Sequence, residues 1–201
     1  LLTSTTAEWK HEDLQTNPQA RKEVGRSLAI FSAFAEGVSL YSSFAVLYSF
    51  QMRNTLKGIG QQMKWSVRDE SLHSKMGCQL FRHICEEYPE LKLQVQSQVE
   101  EAAHLMVEME LRFIDKMFEM GDLENMKAEH LKEFIKKRAN EKLNELGYES
   151  IFHFSEELAS NLDWFYHLTG GHTHTDFFAI RSTDYSKAGE DENWDADDLF
   201  D

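Results

Sequence analysis

Proline is scarce in this chain, with only Pro18 and Pro89 among 201 residues. The stretches between and beyond them are rich in Leu, Met, Glu, Lys and Ala, the residues that lose least on entering a helix, so the chain reads as all-α. Cysteine is scarcer than a disulfide framework needs. Cys78 and Cys85 lie seven residues apart on what reads as one helix, about 10 Å along its axis, too far to pair without unwinding it. They read as reduced thiols of a cytoplasmic protein. Positive charge is also short: 21 Lys and Arg against 35 Asp and Glu leave a net charge of −14, which excludes the clustered cations that neutralise nucleic-acid phosphates. No basic segment followed by an apolar run and a small-residue cleavage site opens the chain, which excludes a recognisable secretory signal.

One long apolar run is present, from Leu28 to Phe50, long enough in principle to span a bilayer. Its five serines, Ser32, Ser39, Ser42, Ser43 and Ser49, and a charge at its centre, Glu36, make it a poor insertion candidate, and it reads as a core helix, with no membrane partner. The expected order is a polar segment over 1–17, a helical bundle over 18–170 and a mobile acidic tail over 171–201. Within the bundle, helices are expected over 18–57, 61–87, 89–120, 125–146 and 150–168. Gly58 with Gly60, Pro89 and Gly121 serve as punctuation. On the third helix Val95, Val99, Ala102, Met106, Met109, Phe113 and Met117 recur at steps of three and four and read as its core face.

Glu36 poses the chemical question. A buried, unpaired carboxylate costs several kcal/mol, so it must be protonated, paired or bound to a cation. A partner is available in Arg68-Asp69-Glu70-Ser71-Leu72-His73, where Glu70 and His73 stand at i and i+3, on one face of a helix. One inward Glu beside a Glu-x-x-His pair is half of the ligand set that holds two metal ions in di-metal carboxylate bundles. Carboxylate and imidazole donors suit iron or manganese. Glu101 and His104 repeat the spacing, but Glu100 and Glu108 beside them suggest a solvated stripe.

The segments AEGVSLYSSF and RDESLH, with the C-terminal TDFFAIRSTDYSKAG and its acidic end DADDLFD, resemble the C-terminal half of the small, radical-generating subunit of class I ribonucleotide reductase. The resemblance implies a ferritin-like di-metal fold, and Glu36, Glu70 and His73 as ligands of one metal of a dinuclear centre, iron in the first instance, with manganese or a mixed pair as alternatives. It implies that Asp69 lies beside the ligands on a proton-coupled electron route. Ser43 and Phe44 would line the site. Tyr185 would relay the radical to the reductase large subunit, and Leu199 and Phe200 in the acidic end would dock on that subunit. The family's glutamate six residues before the tail tyrosine is here Ala179.

The family's other ligands, an Asp, a Glu and a second Glu-x-x-His, should precede Glu36 by a long stretch, and the 35 residues before it contain no such set. The chain is therefore expected to be the C-terminal piece of a split small subunit, its bundle completed by a second polypeptide within a dimeric assembly; a truncated sequence is the alternative. Two rivals make different predictions. A self-contained ferritin-like oxidase would recruit Glu101 and His104 to the site, and a non-catalytic acidic interaction protein would keep Glu36 protonated against Ser39 or Ser43.

Overall fold

In the computed structural model of the chain, residues 11–169 are described, and among them eight α-helices form with no strand. α1 is His11–Thr16 and α2 is Pro18–Ile30. Asn17 starts α2: its side-chain oxygen accepts from the backbone N–H of Gln19 at 3.0 Å and Ala20 at 3.3 Å, and Pro18 fills the first turn, where a missing N–H costs nothing. The expected single helix over 18–57 is broken. After α2 comes a π-helical segment, Phe31–Ala35, then a turn over 36–40, and then α3, Tyr41–Met52. Each change is written in the backbone. The N–H of Glu36 bonds the Phe31 carbonyl five residues back, and Leu40 enters α3 with a left-handed φ of 71°.

α4, Lys57–Glu87, begins earlier than expected and carries both Gly58 and Gly60 within it. Gly60 is there for space, because a Cβ on it would lie 2.1 Å from Gln51 Oε1 on α3. The break before α4 comes instead from Asn54 and Leu56, both at positive φ. α5 is Glu90–Met117 and α6 is Ala128–Leu146. Gly147 closes α6 with φ 89°, its N–H bonding Asn144 O while the next N–H, of Tyr148, reaches Leu143 O. Where one helix was expected over 150–168, there are α7, Glu156–Ala159, a 3₁₀ turn over Ser160–Leu162, and α8, Asp163–Thr169.

Close contacts between helices set the layout. Ser74 lies against Gly37, Gly77 against Ser32 and Gln51 against Gly60, so α4 runs antiparallel to the π segment and α3. Leu91 packs on Gly25 and Glu110 bonds the N–H of Leu40, so α5 runs parallel to α2 and its continuation. α6 packs across α5, α4 and the π segment. The core is filled by Phe34, Tyr41, Phe81, Phe134 and Phe165 with Leu91, Val95, Val99, Ile114, Leu131, Ile135 and Leu143. Burying each large apolar side chain contributes roughly 1.5–3 kcal/mol before entropy is set against it. Met109 and Phe113 do not join this core. They are 55% and 43% exposed, and α5 turns Val107, Glu110 and Ile114 inward in their place.

The described residues all fall in one compact unit. Tyr185, Ala179, Leu199, Phe200 and the expected acidic tail lie outside the described residues. No helix among the described residues is long and apolar enough to cross a membrane.

Candidate metal centre

Glu36 stands at the exit of the π segment, where the widened turn redirects the backbone. The local sequence permits this because the next residue is glycine: a Cβ on Gly37 would meet Ala33 O at 2.2 Å, Ser74 Oγ at 2.6 Å and Lys142 Cδ at 2.8 Å. α4 approaches just as closely one turn away, where a Cβ on Gly77 would meet Ser32 Oγ at 1.9 Å. Small residues on both sides thus bring α4 against the π segment, and α4 carries Glu70 and His73.

The result is one cluster. Ligand-capable atoms of Glu36, Glu70 and His73 all lie within 4.8 Å of one another, and among the described residues no other group of three or more His, Cys, Asp and Glu side chains meets that condition. Glu36 and Glu70 are half-buried and His73 is exposed. Burial pushes the Glu36 carboxyl above the usual carboxylate range; His73 opposes this and the neighbouring Glu70 carboxylate adds to it. A cation between the two carboxylates would remove the repulsion. Two hard oxygen donors and one imidazole fit a first-row divalent ion with open coordination positions, and Glu36, Glu70 and His73 are the residues that would hold it.

The other sequence candidates separate from this cluster. Asp69 adjoins Glu70 on α4 and is exposed. Phe44 is buried, its ring edge-on to Tyr41 at 5.7 Å, and Ser43 is half-buried. Glu101 and His104 are exposed on α5, and the His104 ring packs edge-on against Phe152 at 5.0 Å, so the five-ligand arrangement of a self-contained oxidase is not formed. Glu36 has no hydrogen bond to Ser39 or Ser43 among those described. Both cysteines are free, and burial pushes the Cys78 thiol up to about 12.

Buried charge around the site escapes a reading by motif. Glu110 on α5 and Arg138 and Lys142 on α6 are each at least 93% buried. Their positions held a clue: Phe134, Arg138 and Lys142 step by four along an apolar face, and Glu110 sits between Val107 and Ile114 on another. Tyr41 is fully buried and its hydroxyl is 2.9 Å from Ser71 Oγ, tying the start of α3 to the residue after Glu70.

Residues 4–158 match the family model for the ribonucleotide reductase small chain. The chain belongs to that family. This small-chain sequence is 33% identical over 175 residues to a probable ribonucleoside-diphosphate reductase small subunit of Invertebrate iridescent virus 3, covering 86% of this chain and 46% of the relative. It is 26% identical over 165 residues to the ribonucleoside-diphosphate reductase subunit beta of Chlamydia pneumoniae, covering 82% and 46%. A crystal structure from Bacillus halodurans, described as a candidate class I ribonucleotide reductase, superposes with a TM-score of 0.63 at 22% identity, over 78% of this chain and 55% of that one. This likeness fixes the fold as the helical one of that structure. The small-chain sequence spans about half the length of the curated relatives it matches.

Proposed function

We propose that the chain is the C-terminal portion of the radical-generating small subunit of a ribonucleoside-diphosphate reductase, a cytoplasmic enzyme of deoxyribonucleotide synthesis. In this reading it supplies half of the ligands of a di-metal centre and the tail that meets the large subunit. The carrying observation is the Glu36, Glu70 and His73 cluster in a chain of this family. Such a centre, iron or manganese, supplies a one-electron oxidising equivalent when bound. Glu36 and Glu70 bring two negative charges to the site and His73 a neutral donor. Asp69, one residue before Glu70, accepts a hydrogen bond on the route outward. Tyr185 gives up a phenolic proton and an electron together, and so passes the oxidising equivalent toward the large subunit, on which Leu199 and Phe200 dock.

The remaining ligands come, in this proposal, from polypeptide outside this sequence, and specifically from a second chain carrying the family's N-terminal half, within a dimeric assembly. Two features support this. Three ligands are half of the set of six that two ions need. α4 also carries exposed apolar surface: Trp65, Leu72, Met76 and Leu80 are 46%, 55%, 58% and 52% exposed, and their spacing puts them along the His73 side of the helix. Apolar area of that kind beside a ligand group is what a covering helix pair would bury.

The test is reconstitution. The full chain alone is expected to take up at most one Mn²⁺ per monomer and to give no nucleotide reduction with a reductase large subunit. Addition of a polypeptide carrying the first-half ligands is expected to raise loading to two ions and to restore turnover. A monomer that binds two ions and supports turnover by itself would overturn the split arrangement, and pairing of two copies to reach full loading would overturn the separate-chain partner.

A further inference from the structure

The turn over 36–40 is irregular, yet it and the first residues of α3 are gripped at both ends by buried charged side chains from helices that carry none of the three clustered side chains. At its start, Arg138 on α6 donates from Nε to the Gly37 carbonyl oxygen at 2.5 Å, one residue after Glu36. The same guanidinium lies 3.5 Å over the Tyr41 ring. At its end, Glu110 on α5 accepts from the Leu40 N–H at 3.4 Å and from Ser42 Oγ at 2.5 Å. Leu40 is at positive φ, a conformation that a leucine does not hold without external support.

Both grips are expensive unless they achieve something. Arg138 is 4% exposed and Glu110 7% exposed, and burying either charge without compensation costs several kcal/mol. A turn needed only to connect two helices could be built with polar loop residues at the surface. Here the chain places a carboxylate and a guanidinium inside the bundle on the atoms that set the direction of the Glu36 backbone. Tyr41 extends the frame, linking Arg138 to Ser71 and so to the turn of α4 that bears Glu70.

We propose that Glu110 and Arg138 are positioning residues for Glu36, pinning the two ends of the 36–42 segment so that its carboxylate is aimed at Glu70 and His73 before any metal arrives. The proposal rests on the reading of Glu36 as a ligand. Neither side chain belongs to the cluster of donors. Each acts through the backbone, as outer-sphere groups do when they fix the orientation of a ligand.

The experiment uses the full 201-residue chain, with amide hydrogen exchange as one readout and Co²⁺ binding, followed by its visible absorption, as the other. Glu110→Ala and Arg138→Met are each expected to speed exchange across residues 37–42 and to weaken Co²⁺ binding, both by about tenfold or more. Glu110→Gln should restore both, because its carboxamide oxygen still accepts from Leu40 and its NH₂ can donate to Ser42 Oγ. Leu143→Ala, in the buried core of α6, loses comparable stability and should leave both readouts within about twofold.

Unchanged exchange at 37–42 in Glu110→Ala and Arg138→Met would overturn the proposal, as would a Leu143→Ala variant that reproduces their changes. If Glu110→Ala does not fold, Ser42→Ala, which removes one contact, decides the matter in the same way with a threefold change as the expectation. A wild-type chain that binds no Co²⁺ would sink the ligand reading, and the exchange data would still decide whether the two side chains grip the segment.

Discussion

Gly37→Ala is the sharpest single perturbation of the fold around Glu36. The added methyl group would sit 2.2 Å from the Ala33 carbonyl oxygen, 2.6 Å from Ser74 Oγ and 2.8 Å from Lys142 Cδ. The serine and lysine atoms can give way; the carbonyl belongs to the π segment and cannot move without disturbing the Phe31–Ala35 hydrogen bonds. Overpacking of this kind costs about 1–3 kcal/mol, and the clash with backbone puts this site at the upper end, near 3 kcal/mol. For a domain of this size that is a fall in melting temperature of roughly 6–12 °C. Gly58→Ala is the internal control. Gly58 lies in the first turn of α4 with nothing within 4 Å of its added Cβ, so alanine should be tolerated or stabilise by up to about 0.5 kcal/mol, below the gain of a helix interior. Thermal unfolding followed by circular dichroism reads both. A Gly37→Ala melting point within about a degree of wild type would refute the packing argument, and a destabilised Gly58→Ala would undercut the comparison.

Three further outcomes follow from the same geometry. Glu70→Ala should weaken Mn²⁺ binding to the full chain by about tenfold or more in calorimetry, whereas Glu101→Ala, which keeps all three clustered side chains, should stay within about twofold. Leu72→Glu with Met76→Glu, both on exposed apolar positions, should leave the melting temperature within a few degrees and reduce aggregation, while abolishing assembly with the completing polypeptide; light scattering and pull-down separate these effects. Cys78 should resist thiol reagents in the native chain at pH 8, because a thiol raised to about 12 is ionised only in roughly one molecule in ten thousand. Mass spectrometry after a short alkylation should find Cys85 modified ahead of Cys78, and both modified in denaturant.

The helical class and the clustering of Glu36, Glu70 and His73 were legible because each leaves a periodic trace. Glu70 and His73 are one helical step apart, and Glu36 is the lone charge in an apolar run. The break at Glu36 was not legible. Nothing in AFAEGVSLYSS forbids a continuous helix; the π segment and the Leu40 turn are imposed by contacts distant in sequence, with Gly77 and Ser74 on α4, Glu110 on α5 and Arg138 on α6. Gly58 and Gly60 misled for a related reason. A glycine reads as a stop, but Gly60 serves the close approach of α3 and sits inside α4. On α5, Met109 and Phe113 share the periodicity of the core residues yet lie on its edge, and 3.6-residue spacing alone cannot tell the centre of a buried face from its rim when neighbouring helices are unknown. Glu110, Arg138 and Lys142 sat in apolar stripes, where charge usually marks a helix face wrongly drawn. Here it marked groups buried on purpose around a turn.

Anomalous diffraction from crystals of the full chain loaded with Mn²⁺ tests the central claim most directly. The account predicts a peak within bonding distance of the Glu36 and Glu70 carboxylates and the His73 imidazole. A peak elsewhere on the chain, or none at a Mn²⁺ concentration that saturates binding in solution, would contradict it.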